Sequence, residues 1–124
     1  MANPNLLSLS AIYGKTVAVS LTSTNATSIL SNASSSGKIF KINSLLVSNN
    51  DTSVSVSITI NYYSAAALGG TAYPVASTVS VPAKSTIAIV EKGTQIYLEE
   101  DKSIGATAGT ASKLNVVCSY EDLS

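Results

Sequence analysis

The sequence has no histidine and no tryptophan, and it holds one cysteine and one phenylalanine in 124 residues. Without His, the general base of the common hydrolytic triads and the commonest metal ligand are both missing, so most enzyme mechanisms are harder to build. Arginine is absent too, since all seven basic residues are lysines. That removes the planar fork that grips phosphate or a guanine edge. Seven lysines balance seven acids, so no long-range field steers nucleic acid or an anionic membrane, and no nucleic-acid partner is expected. Charge itself is scarce, at 11% of residues against about 25% in an ordinary globular domain. No apolar run approaches the length of a membrane span, so no membrane partner is expected either. Met1-Ala2-Asn3-Pro4-Asn5 carries no positive charge ahead of Leu6-Leu7. No secretory signal is readable there, and synthesis in the cytoplasm is expected.

What the chain does have is hydrophobic residues, 45% of the total, with a polar share supplied by Ser, Thr and Asn. Such a composition folds, and its length suits one domain with a core that needs neither disulfide nor metal. The clearest pattern runs from Val54 to Tyr63. Val54, Val56, Ile58, Ile60 and Tyr62 alternate with Ser55, Ser57, Thr59 and Asn61, the period of a strand with one buried face. A neutral strand of this β-propensity needs neighbours on both edges, so it is expected to be central in its sheet.

Around that strand the chain reads as an N-terminal arm, residues 1–14, and a single β domain, residues 15–124. The arm holds a short extended piece near Leu7 to Ile12. Lys15 to Leu21 alternates as a strand, and Thr27 to Leu30 is a brief one. Asn32 to Gly37 is a flexible loop by composition. Lys38 to Ser48 is apolar on both faces, which a bulge near Asn43-Ser44 explains by swapping the inward face partway along. Asn49 to Thr52 is expected to form a hairpin into the central strand. Ser64 to Gly70 reads as a long connection, and Tyr73 to Val81 as a strand starting near Pro74. Thr86 to Glu91, Gln95 to Leu98, Ser103 to Thr107 and Lys113 to Tyr120 complete eight or nine short strands, with no helical crossover. The fold class expected is all-β, an antiparallel two-sheet sandwich, with the jelly roll as the topology that the count favours.

Several places offer chemistry, and each has a structural reading. Cys118 shares a strand phase with Leu114, Val116 and Tyr120 and reads as a buried, inert thiol. Glu99, Glu100 and Asp101 are the densest acids, but Lys102 follows and the spacing fits no calcium loop, so a solvated turn is expected. Glu91 and Glu99 are the one pair of carboxylates that a glycosidase would use, and structural charges are the expected reading. Tyr13, Tyr62, Tyr63, Tyr73, Tyr97 and Tyr120 can line a carbohydrate groove or pack at the core and rim. Asn25, Asn32 and Asn50 begin triplets of the glycosylation type, expected by chance in a chain so rich in Asn, Ser and Thr. No catalytic residue, metal ligand or cofactor is assigned.

One resemblance extends over most of the chain. The stretches Val81-Pro82-Ala83-Lys84-Ser85-Thr86, Ile96-Tyr97-Leu98-Glu99-Glu100-Asp101-Lys102-Ser103-Ile104 and Val116-Val117-Cys118-Ser119-Tyr120-Glu121-Asp122-Leu123 carry it, with Asn3-Pro4-Asn5-Leu6-Leu7 and Tyr13-Gly14-Lys15-Thr16. Together they resemble the small β-sandwich virion structural proteins of tailed bacteriophages, especially cyanobacterial and other marine phages. The chain departs from that pattern at Glu100-Asp101-Lys102, where the pattern has Glu-Gly-Asp. The resemblance implies a non-enzymatic part of the virion, first a capsid decoration or cement protein, and otherwise a neck, collar, tail or baseplate protein. Its partners would be other virion proteins, the major capsid protein or neck and tail proteins, and further copies of itself. A carbohydrate-binding attachment module remains the other class. Leu6, Leu7 and Leu9 in the arm are the expected partner contacts, because an uncharged arm with three leucines is a liability unless something covers it.

Overall fold

The computed structural model describes residues 3–124. Nine strands follow one another: β1 (Ile12–Ser20), β2 (Thr27–Asn32), β3 (Ile39–Asn49), β4 (Val56–Ala65), β5 (Gly69–Val81), β6 (Thr86–Val90), β7 (Ile96–Leu98), β8 (Lys102–Ala108) and β9 (Leu114–Leu123). They form two antiparallel sheets. One has the order β1-β9-β3-β6, with β7 also paired to β3, and the other has the order β2-β8-β4-β5. Counting β6 and β7 as halves of one interrupted strand gives four strands per sheet. The chain alternates between sheets except at β4 to β5, which is the jelly-roll arrangement.

The core lies between the sheets. Ile42, Leu45, Val47, Leu114, Val116 and Cys118 of the first sheet meet Ile58, Ile60, Val81, Ile104 and Ala106 of the second, all without solvent exposure or nearly so. Each such aliphatic side chain contributes about 1.5 to 3 kcal/mol when removed from water. The single Phe40 packs edge-on against Tyr120, with ring centroids 5.3 Å apart.

The β3 bulge is where the residues place it. The register against β9 shifts between Ile42 and Ser44, and the buried positions change from Phe40 and Ile42 to Leu45 and Val47. Both apolar phases of the strand thereby face the same core. On the other edge of β3 the same point coincides with the break between β6 and β7, and Gln95 Nε2 donates to Asn43 Oδ1 at 2.9 Å. The central strand is also as expected, since β4 has β8 on one edge and β5 on the other. It starts at Val56, however, and leaves Val54 exposed.

Three connections differ from the sequence expectation. Asn49 to Thr52 is a crossing from one sheet to the other, because β3 and β4 belong to different sheets. Asn49 is buried there. Its Nδ2 donates to Val54 O and Val81 O, both at 2.9 Å, and satisfies carbonyls that no ladder reaches. Asn32 does the same at the end of β2, donating to Lys38 O and Leu98 O. Far from being part of a flexible loop, it is fully buried, which leaves its nitrogen no room for a glycan. Ser64 to Gly70 is a tight hairpin, with Ala65 paired to Gly69. Ala67 and Leu68 take φ values of 55° and 60°, in the left-handed region. Three side chains from other strands fix them there: Ala66 N donates to Asp101 Oδ1, Ala67 N to Ser31 Oγ and Leu68 N to Ser103 Oγ. As a result β5 begins at Gly69, and Pro74 lies within it, tolerated because β5 is an edge strand with register shifts nearby.

Candidate functional site

The acidic turn holds loops in place. Asp101 receives the hairpin amide of Ala66, and Glu100 Oε1 receives the amide of Gly37 at 3.1 Å, so the two carboxylates point to different loops. Among the described residues no group of three His, Cys, Asp or Glu side chains converges on a metal position. Asp101 has a φ of 58°, the conformation a glycine takes freely, so the turn keeps a left-handed residue where the phage-like pattern has Gly. Lys102 turns away to donate to Ser64 O. Glu91 sits in the turn before β7 and Glu99 follows its end, so the strand separates them, and both are exposed.

Asp122 is the buried carboxylate. Lys15 Nζ donates to its Oδ2 at 2.8 Å and Lys38 Nζ at 3.4 Å, joining β1 and the loop before β3 to the end of β9. Burial alone would raise its pKa. The hydrogen bond from Lys15 and the charge and hydrogen bond of Lys38 outweigh burial and hold it below the usual value. Cys118 is fully buried opposite Val17 and Leu45, and burial pushes its thiol up to about 11. A thiol held protonated and out of solvent is not a nucleophile at neutral pH.

The tyrosines do not form one groove. Tyr63 is buried beneath the hairpin, where Leu68 and Gly105 neighbour it, and Tyr97 is on the other sheet, opposite Lys41. Tyr120 packs on Phe40, and Tyr13 is exposed at the start of β1. Tyr62 and Tyr73 are opposite each other across the β4–β5 ladder and share a face. Burial, and then the charge of Glu99, raise the Tyr62 pKa.

What the described residues offer is surface, since no enclosed pocket opens among them. Exposed large apolar side chains gather in two stretches. One contains Leu6, Leu7, Ile12 and Tyr13, and the other Tyr73, Val75 and Val79 on β5. Leu7 is 94% exposed and Leu6 45%, whereas Leu9 is half-buried. The arm is tied to its own domain at two points. Asn3 Oδ1 accepts from Glu100 N, and Ser10 and Ala11 extend the β1–β9 ladder to Ser124. Between them Asn5 to Ser8 forms a turn, with Leu7 N donating to Asn5 Oδ1, where an extended piece was expected. Met1 and Ala2, the first residues of the arm, lie outside the described residues. Charge avoids both stretches. None occurs between Asp51 and Lys84, and Lys15 alone precedes Lys38. Sequence reasoning found the arm but missed the β5 stretch. Its signal was present, because 13 uncharged residues on a strand that includes Pro74 suit an edge.

No protein-family model matches the chain, and no curated protein matches it. Among solved structures it is similar to a chain of the Bacillus endospore appendages, which form a novel family of disulfide-linked pili. The TM-score is 0.53 at 17% identity, over 91% of this chain and 88% of that one. At that identity the likeness is one of fold.

Proposed function

We propose that the protein is a non-enzymatic structural subunit of a multi-copy particle: a virion protein of a tailed phage that decorates and cements the capsid. A place in the neck, collar, tail or baseplate is the alternative within the same reading. The observation that carries it is the pairing of exposed apolar side chains with missing charge at Leu6 to Tyr13 and Tyr73 to Val79. Proteins that live alone guard their sheet edges with charge, and unguarded apolar patches mark surfaces that a partner covers. The sequence resemblance to phage virion proteins supplies the kind of particle. Quantitative mass spectrometry of purified particles is the test. Abundance near that of the major capsid protein indicates the head, and a single ring's worth indicates the neck or tail. Absence from purified particles overturns the proposal.

A second reading, a fibre subunit, is favoured by the fold shared with the endospore appendage chain. Those pili are disulfide-linked. Here Cys118 is buried in the core, so a fibre of this chain would be held by non-covalent contacts and would survive reductant. Electron microscopy of the purified chain with and without a thiol reductant separates the two.

A further inference from the structure

We propose that copies of this chain associate head to tail. The patch on β5, formed by Tyr73, Val75 and Val79, covers the arm and β1 patch of a second copy, formed by Leu6, Leu7, Ile12 and Tyr13. The inference rests on the reading above that the chain is an assembly subunit, and it names the subunit's first partner as another copy of itself.

Topology carries the first step. β1 ends one sheet and lies beside β2, while β5 ends the other sheet and lies beside β6. The two patches are therefore on opposite sides of the sandwich. One copy cannot bring its own arm onto its own β5, because Asn3 is bonded at Glu100 and Ser10 and Ala11 are bonded to Ser124. A contact joining the two patches must come from two molecules. The patches also differ in sequence and shape, so the contact is heterologous, and repeating it gives a ring if the rotation closes or an open chain if it does not.

Charge carries the second step. Both patches are matched in being neutral: no charged residue occurs from residue 52 to 83, nor from residue 1 to 14. Joining them desolvates no charge, which is the usual cost of burying protein surface. Any contact using the acidic turn, or the ends near Lys38, Lys41 and Glu121, would carry that cost.

Backbone geometry keeps the contact specific. Pro74 and the register shifts around Ala76 and Val79 interrupt β5, so its free edge is a poor template for unlimited strand addition. Thr78, at a φ of 50° with its amide bonded to Thr59 Oγ1, fixes one of these breaks. What β5 presents is side chains. The long, regular β1, whose pairing with β9 has no shift, holds Ile12 and Tyr13 at a fixed spacing to meet them.

The test uses the full chain and sedimentation velocity over a concentration series. Wild type is expected to associate past the dimer. The arm-side variant Leu7→Lys with Ile12→Lys, and the β5-side variant Tyr73→Lys with Val75→Lys, are each expected to stay monomeric. Their equimolar mixture is expected to form a one-to-one dimer and stop there, because each supplies the patch that the other lacks. A wild type that is monomeric throughout overturns the proposal. So does a variant that still dimerises alone, which is the mark of a two-fold contact, and so does a mixture that stays monomeric. Should a lysine pair lower the melting temperature, Leu7→Ser with Ile12→Thr and Tyr73→Ser with Val75→Thr replace it. Loss of self-association with continued presence in particles would overturn this contact and leave the virion reading standing. Self-association with absence from particles would do the reverse.

Discussion

Two asparagines show how far single residues can be read. In the sequence, Asn32 and Asn49 stand among Ser, Asn and Asp and look like turn formers. In the fold each is the last residue of its strand, buried where the chain leaves one sheet for the other, and each donates to two carbonyls. Nothing local marks that role, because the carbonyls of Leu98 and Val81 are 66 and 32 residues away. Asn49→Ala is expected to cost about 2 to 4 kcal/mol in denaturant unfolding, since two carbonyls lose their donor. Cys118 was legible from strand phase alone. Asp122 was not, because its lysines come from β1 and the loop before β3. The carboxylates also set the acid limit. Asp51 is lowered from 3.8 to about 2 by the amide of Ser53, the ammonium of Lys113 and the amide of Val54, and Asp122 is lowered as well. A depressed carboxyl stabilises the fold fully above its unfolded value and loses that contribution as pH falls through its folded value. Lys15, raised above 10.5 chiefly by its hydrogen bond to Asp122, contributes below 10.5 and loses that contribution as pH rises through its folded value. The melting temperature is therefore expected to hold steady from about pH 5 to 9 and to fall below about pH 4. Asp51→Asn should flatten the acid limb, and an unchanged limb would remove Asp51 from the account.

Among the elements, β3 and β4 were the most legible and the β4–β5 hairpin the least. The apolar run of β3 holds two alternating phases offset by one residue, so the bulge could be read directly from it. Deleting Asn43 would restore a regular strand and turn Leu45 and Val47 outward. Loss of cooperative unfolding in that variant is the expected result, and a native-like melt would show that the bulge is not what fixes the register. The hairpin resisted because its left-handed positions are filled by Ala67 and Leu68, where a turn usually has Gly or Asn. The side chains that hold it, Asp101, Ser31 and Ser103, come from distant strands. Asn49 to Thr52 was misread for a related reason, since a short polar connection looks the same whether it returns within a sheet or crosses between two. The arm gives an element-scale test of the assembly reading. Deleting residues 2 to 9 removes Leu6, Leu7 and the Asn3 bond to Glu100 but keeps Ser10 and Ala11 on Ser124. The melting temperature should stay within a few degrees of wild type, about what a surface change costs, while incorporation into particles is lost. Unfolding of the shortened chain would assign the arm to the core instead.

For the whole molecule, alternation and strand spacing made an all-β sandwich readable, while sheet order had to come from contacts between residues far apart in sequence. The charge map adds what the fold leaves open. Three of the four strands in the second sheet carry no charge, and Lys102 at the start of β8 is directed at a backbone carbonyl. A molecule with unguarded edges on opposite sides is suited to being surrounded by neighbours. Hydrogen exchange read by mass spectrometry, on the free chain and on the same chain inside purified particles, tests this most directly. The account predicts strong new protection in residues 6–13 and 73–79 within the particle, with the core strands β3 and β9 equally protected in both. Unchanged exchange at both stretches in a particle that contains the chain would contradict it.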